Sequence, residues 1–129
     1  MKHNMQVLRR ATAADYPAIK TLIAHYPAQL MQEHLPEPEE FFIIQLDRDI
    51  IGCCALEVYS QRLAEIRSLA VREDHRHKGL GSQLVDACLA AAKDAGILEI
   101  LTITNSPTFF ETRGFGAFKN EKYALLKVL

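Results

Sequence analysis

The segment that most constrains the fold is LAEIRSLAVREDHRHKGLGSQLVDACLAAAKDAG, residues 63–96. It opens as an apolar, β-rich run, crosses a basic loop with two glycines one apart, and continues into a helix. Leu80, Leu84, Val85, Cys88, Leu89, Ala92 and Ala95 recur at helical spacing, and Gly96 marks the stop. A strand that feeds a long helix through glycine gathers unpaired N–H groups and partial positive charge at one mouth. Gly79 lets the backbone turn tightly there, and Gly81 removes a Cβ where the helix opens. Arg76, His77 and Lys78 ring the opening with charge. A bare G-x-G reads first as a tight turn beside a solvated basic loop. The preceding strand, the long helix and Arg76 tip the reading toward a phosphate cradle. It is not a dinucleotide fingerprint, because Leu84 stands where G-x-G-x-x-G needs its third glycine. No G-x-x-x-x-G-K-[ST] pattern is present either.

The length, 129 residues, fits one domain spanning 1–129, large enough to bury a core without metal or disulfide staples. The net charge of −1 excludes a chain built mainly for nucleic acid or an anionic membrane, since both call for a basic surface. No apolar run approaches the length of a membrane span, and MKHNMQVLRR lacks a secretory core. Three cysteines, two of them adjacent (Cys53 and Cys54), match neither a disulfide framework nor C-x-x-C metal spacing. Cytoplasmic residence with reduced thiols is the expectation. His75 and His77 form H-x-H without a third ligand nearby, so no metal is expected.

Elsewhere, MQVLRRA reads as a strand, and Thr12 three residues before Asp15 has capping-box spacing. Ile19, Leu22, Ile23 and Tyr26 then predict a helix over about 13–25. AQLMQEHL predicts a second short helix, and EHLPEPEE a loop. EFFIIQLD and IIGCCALEVY are β-rich runs joined at Asp47-Arg48-Asp49, a hairpin signal that puts Cys53 and Cys54 on opposite faces. ILEILTI predicts another strand. SPTFFETRG predicts a short helix with Ser106 at the cap and Pro107 first, ending at Gly114. A short strand over 114–118 and a last one at YALLKVL complete the chain. The fold class is α/β, or α+β in a stricter scheme: a mixed, mostly antiparallel sheet with helices on both faces.

Taken together, AEIRSLAVREDHRHKGLGSQLVDACLAAAKDAGI resembles the cofactor-binding core of the GNAT acetyltransferases. The family signature [QR]-x-x-G-x-[GA] is matched by Arg76-His77-Lys78-Gly79-Leu80-Gly81, and FFETRGF sits where the family has an FYEKLGF-like segment. GCCALEVYSQRLAEIRSLAV and TNSPTFFETRGF are closer still to amino-acid N-acetyltransferases of the N-acetylglutamate synthase type. The resemblance implies that the anion is the pyrophosphate of acetyl-CoA, held by amides of Arg76, His77, Lys78, Gly79, Leu80, Gly81 and Ser82. It implies that Leu69, Ala70 and Val71 pair with the pantetheine arm as an extra strand would. The Leu69 N–H would face the thioester carbonyl, an oxyanion-type donor worth about 3 kcal/mol in the transition state.

In a regular strand, Leu63, Glu65, Arg67, Leu69 and Val71 share one face; the resemblance implies a splay or bulge in this strand, which leaves the facing of Glu65 and Arg67 open. Two charges in an apolar strand mark either a half-exposed edge, a structural Glu65–Arg67 pair, or a functional group. In the functional reading Glu65 takes the proton that an ammonium acceptor must lose before it attacks. The resemblance places Glu65 where several family members carry a catalytic glutamate, and Arg67 would bind a substrate carboxylate. Phe110 stands where many members have a tyrosine that protonates the leaving thiolate. Asn105 would be the family's usual asparagine contact, in a loop shorter than the family pattern. Tyr59 and Tyr123 are read as packing residues.

The expected activity is acetyl-CoA-dependent N-acetyltransfer to a primary amine, a small molecule or amino acid, by direct attack in a ternary complex. The expected partner is that small-molecule amine, with no nucleic acid and no membrane; a homodimer is left open. Two other readings remain: a non-catalytic acyl-CoA sensor, favoured by the missing tyrosine, and a protein lysine or N-terminal acetyltransferase. Residues 24–38 are expected to shape the acceptor pocket.

Overall fold

Strand β1 (Gln6–Arg10) leads through a 3-10 turn into helix α1 (Tyr16–Ala24). Strands β2 (Phe41–Leu46), β3 (Asp49–Val58) and β4 (Leu63–Val71) follow in succession. Helix α2 (Leu80–Asp94), strand β5 (Glu99–Thr102) and short helix α3 (Pro107–Glu111) come after the basic loop. This computed structural model describes residues 5–116 and 127–129. Of the strands predicted over 114–118 and 123–129, residues 117, 118 and 123–126 lie outside the described residues, as does Tyr123, and the described 114–116 and 127–129 are not strand.

The five strands lie in sequence order, with three antiparallel pairings and a parallel one between β4 and β5. A mixed, mostly antiparallel sheet results, as expected. On one face Ile19, Leu22 and Ile23 of α1 pack with Phe41, Ile43, Cys53, Ala55 and Ala70. On the other, Leu80, Leu84, Val85 and Cys88 of α2 pack with Ile44, Cys54, Ala64 and Ile66. Each fully buried Ile or Leu contributes about 1.5–3 kcal/mol, so the two helices seal the sheet from both sides. Cys53 and Cys54 therefore face opposite layers, and both are core residues.

Local chemistry sets the boundaries. The Thr12 N–H donates to Asp15 Oδ2 at 2.8 Å, the predicted reciprocal cap. Asp47 has φ 54 at the β2–β3 turn, a left-handed conformation that Asp tolerates. Gly96 has φ 78, and the Ile97 N–H reaches back to the Ala92 carbonyl at 3.0 Å, closing α2.

One expectation fails, and one left open is decided. AQLMQEHL forms turns, not a helix. His34 has φ 54 and Pro36 follows, so helical geometry stops there; Leu30 and Leu35, five residues apart, instead rest on the α1 layer. Nor is β4 regular. Its register with β3 runs from Ala55↔Arg67 to Cys53↔Ala70, one extra residue on β4, and Ser68 sits there with φ 57. The bulge reverses the facing. Ala64 and Ile66 point toward α2 before it, whereas Leu69 and Val71 pack on that side after it. Glu65 and Arg67 consequently share the α1 face with Ala70, not with Leu69 and Val71.

Candidate active site

The parallel pairing of β4 with β5 ends at Ile66↔Thr102, yet β4 runs on to Val71. The two strands part there, and a cleft of about 920 Å³ opens between them. Its floor is Ile66 to Val71 of β4, and one side wall is Thr102, Ile103, Thr104 and Asn105. Neither Ser68 nor Leu69 has a cross-strand partner among the described residues. This is an open strand edge inside a cleft, suited to an extended amide-bearing ligand arm.

The mouth of α2 closes one end. Gly79 has φ 80 and stands at the helix N-cap, and a Cβ built on it meets nothing within 4 Å. A Cβ at Gly81 would come 3.6 Å from the Phe109 ring, ordinary contact that would fill the mouth without clash. His77 has φ 63, so this short loop turns its backbone twice through left-handed geometry. Arg76, His77, Gly79, Leu80, Gly81 and Ser82 line the cleft; Lys78 is exposed and does not. The arrangement fits a diphosphate: free amides, a helix N-terminus and one arginine around open space.

Tyr26 was not singled out from the sequence, and it braces this end. Its hydroxyl donates to the Val71 carbonyl at 3.3 Å and accepts from the Glu73 N–H at 3.1 Å. Arg76 Nε donates to the same Val71 carbonyl at 3.1 Å.

At the other end Arg67 lines the cleft, but its fork is engaged. Nη1 donates to Glu57 Oε2 at 2.5 Å and Nη2 to the His34 carbonyl at 3.1 Å. The structural Glu65–Arg67 pair weighed above does not form; Glu57, directly opposite Glu65 on β3, takes Arg67 instead. Glu65 is not part of the cleft wall. It accepts a hydrogen bond from the Tyr59 hydroxyl. Burial and then the neighbouring Glu65 push that hydroxyl well above its usual range, so Tyr59 stays a donor.

Phe110 is 5% exposed and stacks edge-on against Phe109 and Phe115. No hydroxyl occupies its place. Phe109 and Phe110 both line the cleft, so their packing shapes the ligand wall. Asn105 lines it as well.

The acetyltransferase (GNAT) family profile matches residues 5–115. The chain belongs to the GNAT family. It is an N-acetyltransferase domain, and acetyl-CoA is its acyl donor. The amino-acid acetyltransferase of Mycobacterium tuberculosis is 32% identical over 117 residues, which cover 84% of this chain and 67% of that protein. A Mycobacterium tuberculosis structure in complex with CoA and NLQ matches with TM-score 0.82 at 31% identity, covering 92% of this acetyltransferase and 76% of that chain. N-acetylglutamate synthase from Neisseria gonorrhoeae, complexed with coenzyme A and N-acetyl-glutamate, matches with TM-score 0.76 at 26% identity. This acetyltransferase covers 28% of that larger chain, and 87% of its own length is matched.

Proposed function

We propose that the protein acetylates the α-amine of an amino acid. The observation that carries this is one continuous cleft: the α2 mouth at one end, the unpaired Ser68–Leu69 edge in the middle, and Arg67 at the other. The relatives named as amino-acid acetyltransferases and the matched structures holding CoA with NLQ or N-acetyl-glutamate support the same acceptor class.

Amides of His77, Gly79, Leu80, Gly81 and Ser82 hold the pyrophosphate, and the backbone of Leu69, Ala70 and Val71 aligns the thioester-bearing arm. The Leu69 N–H stabilises the charge that develops on the carbonyl oxygen. Arg67 offers its remaining N–H groups to the acceptor carboxylate. The ammonium must lose a proton before its nitrogen attacks, and Glu65 takes it through water, its carboxylate standing outside the cleft wall. A C–N bond forms as the C–S bond breaks, and the nitrogen gives its second proton to solvent water as the amide forms. With phenylalanine at position 110, the sulfur departs as thiolate, which a pKa near 8.5 permits. We also propose that residues 1–129 act as one domain in the cytoplasm, where the free Cys53, Cys54 and Cys88 would stay reduced.

A panel of amino acids and amines, assayed for thiol release from acetyl-CoA, tests the reading. Release with at least one amino acid is expected. Binding of CoA with no release from any amine would establish a sensor instead, and release only with peptides a protein acetyltransferase. Within the mechanism, Glu65→Gln should lower turnover near neutral pH while CoA affinity holds; unchanged turnover at every pH removes Glu65 from it.

A further inference from the structure

Residues 27–37 form an irregular strap whose Ala28, Gln29 and Leu30 line the cleft. Its ends are tied to the α1 layer. The Leu30 N–H donates to the Tyr26 carbonyl at 3.0 Å, and the Tyr16 hydroxyl to the Pro36 carbonyl at 2.7 Å. Between these ends, Gln32 donates to the Ile23 and Leu30 carbonyls at 3.0 and 3.1 Å. Arg67 supplies the remaining tie. Its Nη2 meets the His34 carbonyl at 3.1 Å and Met31 Sδ at 3.6 Å. Among the described residues, no other side chain of the sheet is hydrogen-bonded to the strap.

An arginine with four rotatable bonds does not hold such a position unaided. Glu57 holds it. Glu57 Oε2 accepts from Arg67 Nη1 at 2.5 Å, and the two side chains are only 27% and 17% exposed. Glu57 stands opposite Glu65, two pairs along the β3–β4 ladder from Ala55↔Arg67, on the same α1 face as Arg67. Two carboxylates directly opposite each other repel. Arg67 on one and the Tyr59 hydroxyl, 3.3 Å from Glu57 and bonded to Glu65, offset that repulsion. The guanidinium is thus fixed from the sheet and aimed at the strap.

We propose that Glu57 is a positioning residue for the acceptor: it orients Arg67 and, through the Arg67–His34 bond, fixes the strap over the acceptor end of the cleft. The role of the strap in acceptor binding rests on the function proposed above; the mechanical part does not. Removing Glu57 releases Arg67 from the sheet, and the strap loses its tie. The α2 mouth is built from other residues and is untouched.

The test uses the full chain with Glu57→Ala and the milder Glu57→Gln, which keeps an acceptor oxygen. A glutamyl endopeptidase cuts after Glu33 in the strap, and mass spectrometry follows that fragment. Strap cleavage should quicken about fivefold or more in Glu57→Ala and less in Glu57→Gln, as local opening becomes easier. Acceptor KM should rise about tenfold or more with kcat changed less than about threefold, the mark of lost binding and intact chemistry. Calorimetric affinity for CoA should stay within about twofold, which also shows that the variants are folded. Unchanged cleavage after Glu33, in both variants, overturns the proposal; so does a loss of CoA affinity equal to the rise in acceptor KM. Should the wild-type protein acetylate no amino acid, the functional reading fails, and strap cleavage still decides the role of Glu57.

Discussion

The Arg76 guanidinium lies 4.7 Å from the centroid of the Tyr26 ring, and both side chains hydrogen-bond the Val71 carbonyl. One aromatic residue from the end of α1 thereby fixes the last residue of β4, the Glu73 amide and the arginine of the phosphate cradle. Tyr26→Phe keeps the ring under Arg76 and removes the hydroxyl. Net loss of such hydrogen bonds costs about 1 kcal/mol, so CoA should bind about fivefold more weakly with acceptor KM unchanged. Isothermal titration with CoA, beside steady-state kinetics, checks this.

Gly79 has φ 80 at the helix mouth. Any L side chain there meets open space but a strained backbone. Gly79→Ala should destabilise the fold by about 1–2 kcal/mol. It should also weaken CoA binding, because relief of the strain turns the amides away from the phosphates. Urea unfolding with and without CoA separates the two effects.

Ser68 carries the bulge at φ 57. A β-branched residue fits that region worst. Ser68→Val should cost about 1–3 kcal/mol, whereas Ser68→Gly should be nearly neutral. Thermal unfolding of the two variants measures the difference, and turnover should fall in Ser68→Val as the Leu69 amide is re-aimed.

Burial pushes the Cys53 thiol up to about 12. The Cys54 thiol is raised too, first by its hydrogen bond with Cys88 and then by burial. All three cysteines are buried and free. A disulfide reagent should titrate none of them in the native protein and all of them in denaturant. The same reagent can therefore report CoA release without background from the protein.

The hydrogen bond from Arg9 holds the Asp15 carboxyl down at about 2. A lowered carboxyl stabilises the fold above its unfolded value near 3.9 and stops doing so as pH falls toward 2. Asp15→Asn should then lower stability at neutral pH, and the gap from wild type should close between about pH 4 and 2. Urea midpoints across that window would show it.

The sequence carried β4 to its observed ends, and it carried the glycine loop, because apolar runs and left-handed glycines are local signals. Ser68 gave no such signal. A bulge adds one residue to one strand without changing composition, and only pairing with β3 reveals it. That single residue decides the facing of Glu65 and Arg67, which the strand pattern left open. Glu57 was hidden for a related reason: it meets Arg67 only across strands, through the Glu57↔Glu65 and Ala55↔Arg67 pairing. The strap misled differently. Leu30, Met31 and Leu35 suggest a helix by spacing, but Leu30 and Leu35 dock on α1 and Met31 stays 62% exposed. Tyr26 reads as one more apolar position on a helix, and its hydroxyl matters only because β4 ends beside it.

The early parting of β4 and β5 leaves a length of sheet incomplete at the centre of the molecule. A ligand that lies along that length finishes secondary structure as well as filling space. Occupancy should therefore act like added chain: the protein saturated with its acyl donor would resist heat and proteases as a different, sturdier object, and its lifetime would follow the donor supply.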